Sequence, residues 1–265
     1  MSSQIITNED VLAYKESGCL KKPDFLSFQE KETILSVFLF VLGKYVSIPE
    51  NIINTRDMES DVLHHLLLDF RERKPLKFGE FYDELSLNAK LRSIFFSNKF
   101  ISFYSKLLDI KEEGLFINGF MLRLDAPSDD RNSLAWHQDG PYYEQTSPKY
   151  NATVCWLALT INTEKNGTLE FVRNSHTKFR KTPRSSKGPG YSEQARISLS
   201  SSEKARAETF DASFGDMGAF HINLKHRSGE NTSSKFRITL GCRFHDINGE
   251  FNIGKETYIY NSDVR

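Results

Sequence analysis

No stretch of this sequence is long and apolar enough to cross a bilayer. The nearest, residues 34–46, is interrupted by Gly43 and Lys44. The first residues, MSSQIITNEDVLAYK, lack the basic-then-apolar layout of a secretion signal. Cysteine is scarce: Cys19, Cys155 and Cys242 are odd in number, far apart and without C-x-x-C spacing. That excludes a disulfide framework or a cysteine zinc site and leads us to expect reduced thiols in a cytoplasmic setting. Nor is one sign of charge in excess, since 35 Lys and Arg stand against 35 Asp and Glu. The balance calls for neither nucleic acid nor an anionic membrane, so the expected partner is a small molecule; the oligomeric state stays open.

What is present fits a globular chain. Hydrophobic residues make up 38% and charged residues 26%, too apolar for disorder. The length of 265 residues fits one domain with a decorated core. Two periodicities divide it. Before residue 110, apolar residues recur at helical spacing. Asn8, followed by Glu9 and Asp10, reads as the cap of a helix ending at Gly18. Residues 19–26 read as extended. Ser27 with Glu30 three residues on reads as a capping box, opening a helix that carries Ile34, Leu35, Phe38, Leu39 and Leu42. Residues 61–71 and 78–108 read as further helices. His64 and His65 are adjacent on the first of these, so they point in different directions and are expected to be packed or solvent-facing rather than ligands.

From Leu115 the period becomes 2. Strands are expected over 115–124, 134–139, 152–160, 168–173, 208–213, 217–222 and 235–246, with polar turns between them. A doubly wound sheet would need intervening helices, and none is apparent. The expected fold is therefore mainly β: a double-stranded β-helix (jelly roll, cupin-like) core over 115–246, buttressed by helices over 1–110. In the last strand, Phe236, Ile238, Leu240, Cys242 and Phe244 fall on one face, towards the helices. Arg237, Thr239, Gly241, Arg243 and His245 fall on the other, towards the barrel interior. Residues 178–206, rich in Ser, Gly, Pro and charge, break the rhythm. They read either as a lid over the pocket mouth or as a surface insertion.

The chemistry centres on Trp136-His137-Gln138-Asp139-Gly140. In a strand, His137 and Asp139 share a face and present an imidazole nitrogen beside a carboxylate oxygen. That is two-thirds of a 2-His-1-carboxylate triad, which holds iron(II) and leaves open positions. A second stretch, GDMGAFHINLKHRSGENTSSKFRITLGCR, supplies His226 as a third ligand, then Arg237 eleven residues later. A turn at residues 228–231 and a return strand would bring Arg237 near the metal. Its fork suits one carboxylate of a chelating keto-diacid. His176, His221 and His245 are rival third ligands but lack that relation to an arginine.

The order HQDGPYY, ATVCWLALTINTEKNGTLEFVRNSH and HRSGENTSSKFRITL resembles the phytanoyl-CoA hydroxylase (PhyH-like) family of iron(II)/2-oxoglutarate dioxygenases. The likeness covers about residues 116–245. It departs at Val172-Arg173-Asn174-Ser175-His176, where that family usually has V-P-G-S-H, which puts the local turn in question. The resemblance implies Fe(II) held by His137, Asp139 and His226, with 2-oxoglutarate as cosubstrate and O2 as oxidant. It further implies that Arg237, helped by Ser228, pairs with the distal carboxylate, and that Arg123 reaches the cosubstrate. The products would be succinate, CO2 and a hydroxylated small molecule, or one desaturated or ring-closed by the same oxidant. Related halogenases carry a small residue where Asp139 stands, so halogenation is not expected. Gln138, Tyr142, Tyr143 and Arg243 are candidate substrate contacts. Trp136 flanks the ligands, and Trp156 is expected in the core. The rival readings are a metal-dependent cupin-type isomerase, a dioxygenase that uses no keto acid, and a non-catalytic metal-binding sensor.

Overall fold

The N-terminal half is built from helices whose ends are written in polar side chains. Helix α1 (Asn8–Ser17) is capped by Thr7, whose hydroxyl accepts from Asp10 N while the Asp10 carboxylate accepts from Thr7 N. The cap thus lies one residue before the expected Asn8. The helix ends at Gly18, whose φ of 78° is a left-handed conformation that glycine adopts at no steric cost. Strand β1 (Cys19–Lys22) follows, shorter than the extended piece expected. Helix α2 (Phe28–Leu42) opens with the expected box between Ser27 and Glu30. Next come α3 (Glu50–Thr55), which the apolar spacing did not signal, α4 (Asp61–Arg73), α5 (Pro75–Ser86), α6 (Ala89–Ser93) and α7 (Asn98–Leu108). The expected 78–108 helix is therefore interrupted. Asn88 caps a fresh start, and a 3-10 turn at Ile94–Phe96 changes direction. This computed structural model describes residues 5–129, 133–143, 151–185 and 193–247.

The strands are β2 (Leu115–Asp125), β3 (Ala152–Ala158), β4 (Leu169–Val172), β5 (Ala207–Thr209), β6 (Met217–His221), β7 (His226–Ser228) and β8 (Arg237–Asp246). Between β4 and β5 the described residues include a 3-10 turn at Ser175–Thr177 and a short helix, α8 (Ser201–Lys204). Two antiparallel sheets form, ordered β1-β6-β3-β8-β2 and β5-β4-β7. This is the expected jelly-roll type of arrangement, with helices packed on the outer face of the larger sheet.

Two expectations need correction. Residues 134–139 form no ladder; His137 alone pairs with His226, as an isolated bridge on the free edge of β7. Beyond that bridge the stretch is held by Ser228 N donating to Leu134 O (3.0 Å) and Asp139 N donating to Ile222 O (2.9 Å). The second correction concerns the approach of Arg237, which is not made through a hairpin. His226 lies in the small sheet and Arg237 in the large one, and residues 229–236 cross between them. Gly229 starts that crossing: its N–H donates to Thr168 O at 2.9 Å, and a Cβ there would lie 2.8 Å from the same carbonyl. Asn231 finishes it, donating through Nδ2 to Asp125 O (3.0 Å) and Lys235 O (2.8 Å).

The alternation along β8 places the core. Phe236, Ile238, Leu240, Cys242 and Phe244 are buried in one apolar cluster with side chains from α1, α2, α4, α5 and α7. Tyr104 of α7 stacks on Phe244, with ring centroids 3.8 Å apart. His64 is buried here too, its Nδ1 accepting from Phe236 N at 3.1 Å, so it is a packed core histidine. His65 is exposed. A second, smaller cluster lies between the sheets and contains Trp156, edge-on to Phe210 at 5.4 Å. Cys19, Cys155 and Cys242 are buried and unbridged. Among the described residues, no helix is long and apolar enough to cross a membrane.

Candidate metal centre

The bridge between His137 and His226 is made by two backbone bonds, His137 N to His226 O (2.9 Å) and His226 N to His137 O (3.0 Å). It sets the two imidazoles side by side, centroids 4.2 Å apart. Asp139, anchored through its N–H to Ile222 O at 2.9 Å, brings its carboxylate to both. Oδ1 lies 3.3 Å from His137 Nε2 and 3.8 Å from His226 Nε2. One ligand atom from each of the three lies within 4.8 Å of the others, and all three side chains are buried.

The protons in this cluster can be assigned from its partners. His137 Nδ1 is 2.7 Å from Ala135 O, and His226 Nδ1 is 2.8 Å from Leu224 O. A carbonyl only accepts, so each Nδ1 carries a hydrogen and each Nε2 is the ring nitrogen turned to Asp139. Burial, then the neighbouring His137, push the pKa of His226 down to about 4, which keeps it neutral. Burial alone would raise the Asp139 carboxyl. The Arg243 charge and the two histidines outweigh it and hold the group well below the usual carboxylate range. Two imidazole Nε2 atoms and an ionised oxygen therefore face one another. Such a set fits a divalent cation, and backbone carbonyls orienting the ligating imidazoles are its usual support.

Arg243 grips the other oxygen of the same carboxylate. Its Nε and Nη2 lie 3.3 and 3.1 Å from Asp139 Oδ2. Oδ1 is left to the histidines. Further along the interior, Asp125 stands directly opposite Arg237 in the β2–β8 register. It accepts from Arg237 Nη2 at 2.6 Å and Nε at 3.2 Å, and from Arg123 Nη2 at 2.8 Å and Nε at 3.0 Å. Burial disfavours its charged form, but the two guanidiniums hold the carboxyl below its ordinary pKa. Two guanidiniums thus meet on one carboxylate. These three residues, with Ser228, Ser133 and Asn231, line a cavity of about 400 Å³. Ser228 is two residues from His226 on β7, so both side chains leave the same face of that strand.

The remaining predicted residues divide. Gln138 is not a substrate contact. It points opposite to its ligand neighbours, is fully buried, and donates through Nε2 to Lys178 O (2.7 Å) and Asn223 O (2.6 Å). Its Oε1 accepts from Arg180 N at 3.0 Å. It staples the 178–206 insertion to the ligand stretch. Tyr142 stands edge-on to His137, centroids 5.9 Å apart; the side chain of Tyr143 lies outside the described residues. His176, His221 and His245 lie outside the cluster. His176 Nε2 meets Lys15 O, His221 Nδ1 accepts from Asn223 N, and His245 Nε2 meets Asn118 Oδ1. Trp136 is covered by the Arg227 guanidinium at 5.3 Å. The departure at residues 172–176 is accommodated: Asn174 takes φ 60°, a left-handed conformation that asparagine tolerates better than most residues. Sequence reasoning missed Asp125 altogether. Its signal was the alternation Arg123-Leu124-Asp125, which puts an acid and a base on one face of β2.

The sequence matches the family described as phytanoyl-CoA dioxygenase (PhyH) over residues 14–239. No curated protein matches it. Solved structures of similar fold include EctD from S. alaskensis with 2-oxoglutarate and 5-hydroxyectoine. It is 13% identical with a TM-score of 0.62, covering 95% of this chain and 80% of that one. EvdO2 from Micromonospora carbonacea var. aurantiaca, complexed with 2-oxoglutarate, is 17% identical with a TM-score of 0.58, covering 91% of each. The epimerase SnoN, in complex with Fe3+, alpha-ketoglutarate and nogalamycin RO, is 15% identical with a TM-score of 0.60, covering 92% and 85%.

Proposed function

The chain belongs to the phytanoyl-CoA dioxygenase family, and from that premise we propose that it is an iron(II)- and 2-oxoglutarate-dependent oxygenase, folded as one domain, that hydroxylates an unactivated C–H bond of a small organic molecule. The observation that carries this reading is the buried N2O cluster of His137, His226 and Asp139, with a cavity lined by Arg237, Arg123 and Ser228 in the same interior. EctD, EvdO2 and SnoN were all solved with 2-oxoglutarate, which supports the choice of cosubstrate. At such low identity the likeness is one of fold, so the residues of this chain must bear the argument.

His137 Nε2, His226 Nε2 and Asp139 Oδ1 would hold the iron on one face. When bound, the metal and keto acid supply the redox chemistry, coupling O2 to the decarboxylation of 2-oxoglutarate into succinate and CO2. The chain's own contribution is placement. Arg237, seconded by Arg123 and the Ser228 hydroxyl, would take the distal carboxylate through its guanidinium fork. The Ala135 and Leu224 carbonyls orient the two imidazoles with Nε2 turned to Asp139. Arg243 occupies Asp139 Oδ2 and would leave Oδ1 to the metal. With an acid at position 139, halogenation is not expected.

Succinate release from 2-oxoglutarate, with iron(II) and O2 across a metabolite panel, tests the reading. Gain of one oxygen atom in the product marks hydroxylation, loss of two hydrogens marks desaturation or ring closure, and unchanged mass marks epimerisation. A protein that bound neither iron(II) nor 2-oxoglutarate would be no oxygenase of this type.

A further inference from the structure

A guanidinium can present N–H groups in pairs along two edges, Nε with Nη2 and Nη1 with Nη2. Arg237 gives the first edge to Asp125. Its Nε and Nη2 both donate to Asp125 Oδ2, at 3.2 and 2.6 Å. Among the described residues, nothing accepts from its Nη1. Arg237 lines the cavity together with Ser228, whose hydroxyl likewise has no partner among the described residues. The edge left over is the one that can serve a carboxylate in that cavity.

Asp125 is not placed to move aside. It stands opposite Arg237 in the β2–β8 ladder, so backbone register sets its position. Asn231 Nδ2 donates to its carbonyl at 3.0 Å. Arg123 donates to both of its carboxylate oxygens, to Oδ1 at 2.8 Å and to Oδ2 at 3.0 Å. The side chains of Asp125 and Arg237 are both buried. Nor does bulk positive charge do the recognising. The cavity wall carries Arg123, Arg227 and Arg237, but also Asp125, Asp129 and Glu230. Arg227 is paired with Glu170 at 2.8 Å, and Asp129 with Arg71. Where both signs line a wall, a carboxylate is held by N–H groups aimed at it, and their aim decides the affinity.

We propose that Asp125 is a positioning residue for the cosubstrate. It holds Arg237 by the Nε–Nη2 edge and so fixes the Nη1 edge, beside the Ser228 hydroxyl, as the seat of the keto acid's distal carboxylate. This rests on the oxygenase reading and deepens it. Both ends of the keto acid are then set by residues that cannot drift, and the fixed span selects chain length. To test it, anaerobic protein loaded with iron(II) is titrated calorimetrically with 2-oxoglutarate, with oxaloacetate, one carbon shorter, and with 2-oxoadipate, one carbon longer. Wild type should prefer 2-oxoglutarate over both homologues by about tenfold or more, a difference of about 1.4 kcal/mol. Asp125→Ala, which releases Arg237, should narrow that preference to within about threefold, with iron(II) affinity near wild type. Asp125→Asn, which keeps an accepting oxygen but not the charge, should fall between; it decides alone if the alanine variant does not fold. A preference kept in full by the asparagine variant, or a wild type without one, would overturn the proposal. So would tighter 2-oxoglutarate binding in both variants with the preference intact, the mark of an acid that merely competes for Arg237. These results leave the oxygenase reading standing. That reading fails instead, and the proposal with it, if wild type binds iron(II) but takes up no 2-oxoglutarate.

Discussion

Asp125 and Asp139 are both buried carboxylates, and each is gripped by an arginine from the polar face of β8. What else surrounds them separates their roles. Asp125 has guanidiniums on both of its oxygens, from Arg123 and Arg237, and is closed to any further cation. Asp139 has a guanidinium on one oxygen only; its other oxygen faces two imidazole Nε2 atoms. The first cluster sets two guanidiniums at a cavity wall and suits an anion. The second gathers two ring nitrogens and a carboxylate oxygen and suits a metal ion. One strand thus builds two sites of opposite preference by changing the partners of one ion pair, and a keto acid that chelates a metal through one end and carries a carboxylate at the other needs both.

The comparison breaks most severely if the metal end is removed. Asp139→Ala should cost more than the roughly 10–100-fold in metal affinity that an outer partner is worth, and should abolish 2-oxoglutarate turnover. Anaerobic iron(II) titration checks it, and near-normal affinity would remove Asp139 from the centre. Next in size, Arg237→Ala should weaken 2-oxoglutarate binding by about 100-fold or more, in line with a loss of roughly 3–5 kcal/mol when one partner of a buried pair is taken away. Its iron(II) affinity should stay near wild type, because the two ends are separate. If both affinities fell together, the division would be wrong.

Arg243→Gln sharpens the picture from the other side. It leaves all three ligands in place but frees Asp139 Oδ2, so iron(II) affinity should drop about 10–100-fold while Arg237 keeps its carboxylate partner. A 2-oxoglutarate affinity that fell as far as the metal affinity would place Arg243 in the cosubstrate site instead.

A different kind of effect, on stability rather than on binding, is expected against pH. Burial pushes His64 down to about 4, and His221 and His245 down to about 3. In the unfolded chain these imidazoles take up protons near the ordinary value of 6.5. Stability is therefore fully present above about pH 6.5 and lost as pH falls towards the folded values. Each group contributes a slope of up to about 1.4 kcal/mol per pH unit in that window. Both carboxylates stay ionised there, since their pKa values are lowered. Urea midpoints that fell between about pH 6.5 and 4, and recovered in part in His64→Gln, would fit; a flat profile would not.

Much of this was legible in the residues. The helix caps at Ser27 and Gly18, the change of period at Leu115 and the two faces of β8 each follow from local chemistry, and the structure has them. Spacing also brought His226 and Arg237 into consideration together. It did not say how they meet, because a return strand and a crossing between sheets need similar lengths of chain. Tertiary bonds at Gly229 and Asn231 decide that. Asp125 and the task of Arg243 were hidden for a related reason. Both depend on strand register and on which distant residue stands opposite, and no single stretch of sequence carries that. Gln138 was misread because a residue between two ligands looks like part of the site, although alternation turns its side chain to the other face.

The most direct test of the two-ended site is the visible charge-transfer band that forms when iron(II) and 2-oxoglutarate are added together without oxygen. The account predicts the band in wild type, its loss in Asp139→Ala at any concentration of keto acid, and its return in Arg237→Ala when 2-oxoglutarate is raised. A wild-type protein that bound iron(II) but gave no band, or an Arg237→Ala protein with unchanged demand for 2-oxoglutarate, would contradict it.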